Sequence, residues 1–87
     1  MGDQERRTDR RQDVRWDAWL SGRGYGAARV TMVDVSAGGA QVTAPLGLRV
    51  RDRVLLSRES YGIRSARVQW VEANRVGLEF VGPVKVA

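Results

Sequence analysis

Cysteine and histidine are both absent from this chain of 87 residues, and lysine occurs once, at Lys85. Without cysteine there are no disulfides and no thiolate metal sites. Without histidine the chain lacks the commonest metal ligand and the commonest general base. Zinc centres and Ser-His-Asp or Cys-His arrangements are therefore excluded, and no metal site or cofactor is expected. No apolar run approaches the ~20 residues needed to span a bilayer, and no secretory h-region follows Met1. These absences lead to the expectation of a cytoplasmic, soluble protein without membrane insertion. No helical period stands out in the chain either.

What is present is arginine. The formal net charge is +5, carried almost entirely by guanidinium groups. Arginine offers a planar fork to phosphates and guanine edges, where lysine offers a point charge. Scattered arginines need no more explanation than the base composition of the gene; clustered ones call for more. The length allows one domain with one modest core.

Residues 1–13 are polar, without periodicity, and interleave acids with arginines, as in Glu5-Arg6-Arg7-Thr8-Asp9-Arg10-Arg11. They are expected to form a flexible arm. Residues 14–82 carry the strand pattern, and 83–87 form a short tail. Strands are expected at Val14 to Leu20, Ala28 to Val35, Gly39 to Ala44, Val50 to Leu56, Ile63 to Val71, and Val76 to Phe80. Glycines mark Ser21 to Gly26 as a loop. In the fifth strand Ala66, Val68 and Trp70 share one face by alternation. Trp16 and Trp19 fall on opposite faces, one in the core and one partly exposed. Six short strands with regular turn signals indicate an all-β fold, a small six-stranded antiparallel barrel, since closure removes exposed edges.

The junction of the second and third strands reads Asp34-Val35-Ser36-Ala37-Gly38-Gly39. Turn chemistry alone accounts for much of it: Ser and Asp bond nearby backbone N–H groups, and Gly relaxes the backbone. It does not account for Asp34 and Ser36 on one side of a strand end, beside a position with no side chain. An acceptor, a donor/acceptor and an open floor suit a flat, donor-rich ligand.

These residues resemble the PilZ domain family of bacterial cyclic di-GMP receptors, whose signatures are an R-x-x-x-R arm and, a strand later, [D/N]-x-S-x-x-G. The second is complete in Asp34-x-Ser36-x-x-Gly39. The first fits Arg6 and Arg10 or Arg7 and Arg11; Val14 falls three past Arg11, where the family usually has an apolar residue, so Arg7 and Arg11 are taken. Val68-Gln-Trp70 followed by Gly77-Leu-Glu-Phe80 is similar to the family's closing hairpin. Family members commonly carry a helix after the barrel; this sequence stops seven residues past Phe80, which leaves open whether that helix is missing or lies past the end of the sequence.

The resemblance implies a non-enzymatic signalling module or adaptor that binds cyclic di-GMP through Arg7, Arg11, Asp34, Ser36 and Gly39, and a downstream protein partner. Because the two signature halves lie on different parts of the chain, a ligand touching both is expected to order the arm over the barrel as a clasp. Arg6, Arg10, Gly38 and Trp70 are auxiliary candidates. For Arg6 and Arg10 the competing reading is solvated charge paired with Glu5 and Asp9. For Trp70 it is core packing. Asp34 would meet the N1–H and N2–H donors of guanine, and the arginines its O6 and N7 or the phosphates. Two other functions compete: a degenerate PilZ domain acting only through protein partners, and a basic barrel binding RNA or single-stranded DNA. Arginines gathered ahead of the barrel and mixed with acids argue against a nucleic-acid groove.

Overall fold

The computed structural model describes residues 10–22, 25–43 and 47–82. They form six strands: β1 (Gln12–Gly22), β2 (Tyr25–Val35), β3 (Gly39–Thr43), β4 (Arg53–Arg58), β5 (Gly62–Glu72) and β6 (Arg75–Phe80). The strands close into a barrel in the order β1-β2-β3-β6-β5-β4, with β4 returning to β1 and every neighbouring pair antiparallel. The all-β barrel read from the sequence is the observed fold. Among the described residues there is no helix, hence none long and apolar enough to cross a membrane.

Alternation decides which side chains fill the barrel. Ala18 and Leu20, Val30 and Met32, Ala40 and Val42, Val54 and Leu56, Ala66 and Val68, and Val76 and Leu78 all point inward and are buried. Each Leu, Val or Met withdrawn from water in this way contributes about 1.5–3 kcal/mol. Small and branched side chains occupy the lumen, and the rings gather at one end. Trp16, Tyr61 and Phe80 pack on the core there as tilted pairs, with centroids 6.1 and 6.4 Å apart. The guanidinium of Arg58 lies 4.8 Å from the Trp16 ring centroid, and that of Arg64 lies 4.1 Å from that of Phe80. Trp19, on the opposite face of β1, is half exposed. The two tryptophans divide as alternation requires.

Several strand limits differ from those read in the sequence, each for a local reason. β1 starts two residues before Val14, because Gln12 and Asp13 pair with Val35 and Asp34. β1 and β2 also run further toward each other than the glycines suggest, pairing Gly22 with Tyr25. Val50 to Asp52 do not belong to β4. The N–H of Arg49 donates to Asp52 Oδ2 at 2.9 Å, and the N–H of Asp52 returns to the Arg49 carbonyl at 3.0 Å. Arg51, inside that turn, has φ of 83°. The apolar Val50 was therefore a misleading strand signal; it is exposed on a turn. Arg6, Arg7, Ala44 and the tail after Gly82 lie outside the described residues.

The antiparallel order brings the start of β1, the β2–β3 turn, the β4–β5 turn and the end of β6 to the same end of the barrel. Residues 34–39 thus meet Arg11, just ahead of β1, although 23 positions separate Arg11 from Asp34.

Candidate functional site

The β2–β3 turn is held from within. Ser36 Oγ accepts the Gly38 N–H at 3.3 Å, and the Ser36 N–H donates to the Gly39 carbonyl at 2.8 Å. The Phe80 N–H donates to the Gly38 carbonyl at 2.8 Å, which fastens the turn to the end of β6. Ser36 is buried, so the turn chemistry expected of it is present.

Asp34 behaves differently. Its side chain is 13% exposed, and its oxygens bond other side chains. Oδ1 accepts from Arg11 Nη1 at 2.9 Å, and Oδ2 accepts from Gln41 Nε2 at 2.9 Å. Gln41 Oε1 in turn accepts from Arg75 Nη1 at 3.2 Å. A register shift between Met32 and Asp34 sets the carboxylate directly opposite Gln41 on β3. Such bulges re-aim side chains near sites. The carboxylate therefore fixes Arg11, whose own side chain remains half exposed.

A cavity of about 430 Å³ runs from Arg11 and the turn across the outer face of β3, β6 and β5. Arg11, Ser36 and Gly38 line the end at the turn; along the groove Gly39 lies opposite Glu79 and Gln41 opposite Gly77, and Gln69 and Trp70 line the β5 side. Asp34 is not on its wall. Of the residues expected to touch a ligand, Arg11, Ser36, Gly38, Gly39 and Trp70 come together here. Arg10 is exposed and stands off the wall.

Trp70 does not share the core face of Ala66 and Val68. A register shift between Val68 and Trp70 spends one residue, Gln69, without advancing the pairing, so Val68 faces Leu78 while Trp70 faces Gly77. The indole then lies on Gly77: a β-carbon there would collide with Nε1 and Cε2 and sit 2.8 Å from Cζ2. Gly39 is restricted by backbone rather than by a ring. A β-carbon at that position would strike the Leu78 carbonyl oxygen and lie 3.2 Å from its carbon. The floor of the cavity is glycine at both places because neighbours already occupy the side-chain volume.

Sequence reasoning missed Gln41, Gly77 and Glu79. Gln41 was legible as a polar residue facing outward two positions past Gly39. Glu79 is the carboxylate on the cavity wall, is exposed, and makes no ion pair among the described residues. Its position follows from pairing with Gly39 across β3 and β6. Among the described residues no group of three or more acidic side chains could hold a metal ion.

Fold and site together define a small closed barrel module with an arginine-fronted groove over a glycine floor. The PilZ domain family model matches residues 5–86, and the chain belongs to this family of cyclic di-GMP-binding modules. No curated protein matches it in sequence.

Proposed function

We propose that the protein is a non-enzymatic signalling module that binds cyclic di-GMP in the groove above Gly39 and Gly77. The observation that carries this reading is Arg11, tethered by Asp34 at one end of a cavity with the Trp70 indole at the other. A cyclic dinucleotide has two phosphates and two guanines. Arg11 spends one N–H on Asp34 and keeps donors for a phosphate or for guanine O6 and N7. Trp70 supplies a stacking face, and a guanidinium can stack on the other side of a base. Ser36 and the Gly38–Gly39 backbone border the ligand. Glu79, the carboxylate on the wall, suits the N1–H and N2–H donors of guanine. Asp34 acts through Arg11 and Gln41. Arg7, on the arm ahead of β1, closes over the nucleotide as the second arginine of the motif, with Arg6 and Arg10 beside it.

The deciding experiment is a calorimetric titration with cyclic di-GMP, using cyclic di-AMP and GTP as controls. Saturable binding of cyclic di-GMP, at least about tenfold tighter than of the adenine analogue, is expected, because adenine presents an acceptor at N1 where guanine presents a donor. Affinity should fall only gently with salt, since so small a ligand releases few counterions. Equal affinity for both cyclic dinucleotides, or no binding, would refute the reading. Tight oligonucleotide binding with a steep salt slope would favour the nucleic-acid alternative.

A further inference from the structure

Adjoining the groove, with which it shares β5, the outer face of β1, β4 and β5 carries exposed apolar residues in a checkered pattern. Trp19, Ser57 and Ile63 are cross-strand neighbours in one row. Ser21, Leu55 and Ser65 form the next row, two residues along. Each large side chain is thus flanked by serines, and the three apolar ones are about half exposed: Trp19 50%, Leu55 47% and Ile63 58%. Two hollows lie on this face. One, of about 390 Å³, is lined by Trp19, Ser57 and Ile63 and runs to Arg58, Glu59 and Gly62 at the β4–β5 turn; the other, of about 240 Å³, is lined by Ser21, Leu55 and Ser65 and runs to Arg53.

The third row is Arg53 opposite Arg67. Like charges directly opposed across an antiparallel pair are destabilising. Neither arginine has an ion pair among the described residues, although Arg67 also stands opposite Glu79 on β6. Glu79 therefore offsets part of the charge of Arg67, whereas Arg53, at the other edge of the pair, has no carboxylate opposite it on β5. Scattered exposed apolar residues are ordinary on a protein surface. Three of them around two hollows, ending on two adjacent guanidiniums, form a surface with a definite complement.

We infer that this face is a docking site for an acidic segment of a partner protein, carrying two apolar side chains with carboxylates beyond them. Along β4 and into the turn after it, the first hollow takes Ser57 to Glu59 and the second Arg53 to Leu55, about four residues apart, so the two apolar groups should be about 10–13 Å apart, the spacing of i and i+4 on a strand or i and i+7 on a helix. Because the barrel is closed, the segment cannot add a strand and must bind through side chains. A bilayer has no side chains with which to fill paired hollows. The inference rests on the β1–β4–β5 face, which meets the groove where Arg67 stands opposite Glu79, and the peptide measurements are made without nucleotide.

The test uses the whole chain and short fluorescent peptides bearing a Leu–Phe pair at i,i+4 or i,i+7 among glutamates, with lysine-substituted counterparts. Phosphatidylglycerol vesicles and sedimentation of the protein alone are run in parallel. At least one acidic peptide should bind about tenfold or more tightly than its lysine counterpart. Leu55→Ser with Ile63→Ser should reduce that binding about tenfold. Arg53→Glu with Arg67→Glu should reverse the charge preference, which general damage to the fold would not do. Far-UV circular dichroism and the unfolding midpoint check that both variants stay folded. Absence of an acidic preference, or full binding by either variant, overturns the proposal. So does vesicle binding or self-association lost in these same variants, which would assign the face to a membrane or to a second copy.

Discussion

Replacing Gly39 by alanine separates two reasons for having glycine in the signature. If glycine is there only to admit a ligand, Gly39→Ala should weaken nucleotide binding and leave the free protein as stable as before. The structure gives a different expectation. The new methyl group would strike the Leu78 carbonyl oxygen, a backbone atom within the β3–β6 ladder, with the Leu78 carbon at 3.2 Å and Glu79 Cα at 3.4 Å. Relief requires the two strands to move apart where Gly39 pairs with Glu79. Overpacking of this kind costs about 1–3 kcal/mol, against a total stability of roughly 5–15 kcal/mol for a small domain. At about 4–8 °C per kcal/mol for a chain of this size, the midpoint should fall by about 5–20 °C. Gly47→Ala is the control, since nothing lies within 4 Å of a β-carbon there and its φ is ordinary. It should be neutral or slightly stabilising. Thermal denaturation of both variants by circular dichroism, without ligand, is the assay. A Gly39→Ala midpoint matching that of Gly47→Ala would refute the reasoning.

Two further predictions concern the groove. Arg11→Ala and Asp34→Ala should each weaken cyclic di-GMP binding about tenfold to hundredfold, and the double variant should be little worse than either, because Asp34 acts through Arg11; strict additivity in a titration series would show that it acts on the ligand itself. Trp70→Ala should weaken binding about fivefold to hundredfold, equivalent to about 1–3 kcal/mol of lost stacking, while the midpoint moves by only a few degrees because the ring sits outside the buried core; a collapse of the fold would return Trp70 to the core.

The fold was legible because its six strands alternate and are separated by turns, and a barrel is what so few short strands can close into. What the sequence concealed are the points where alternation breaks. Counting by twos puts Trp70 with Ala66 and Val68; one bulge residue, Gln69, turns it outward onto Gly77. Nothing in the residue types around Gln69 announces a bulge, since it is the partner strand that sets the register. The same holds for the shift ahead of Asp34, which aims its carboxylate at Gln41 and Arg11 instead of along the turn. Motif residues could be identified, but not which of them stands on the wall and which stands behind it. Glu79 was hidden for another reason: an acid facing outward on a strand resembles ordinary solvated surface until its neighbour across the ladder is known to be Gly39.

The tether between Arg11 and Asp34 makes the two arginines of the signature unequal. A free arginine side chain loses about 1.5–2 kcal/mol of rotamer entropy when a ligand immobilises it. Arg11 has met part of that cost before any ligand arrives, since Nη1 is already bonded to a nearly buried carboxylate. The bond uses one donor and leaves the rest of the guanidinium toward the cavity, so pre-orientation does not consume the group. Solvent screening limits what this half-exposed ion pair adds to the stability of the fold. Its effect belongs to binding, where a pre-oriented fork loses less on association. On the reading proposed above, Arg7 has a different part. It belongs to the arm, and its contact is set against the ordering of the residues that carry it. A nucleotide held first by Arg11 gives Arg7 a fixed target, and closure of the arm then changes the surface at the end of a barrel that has no hinge of its own.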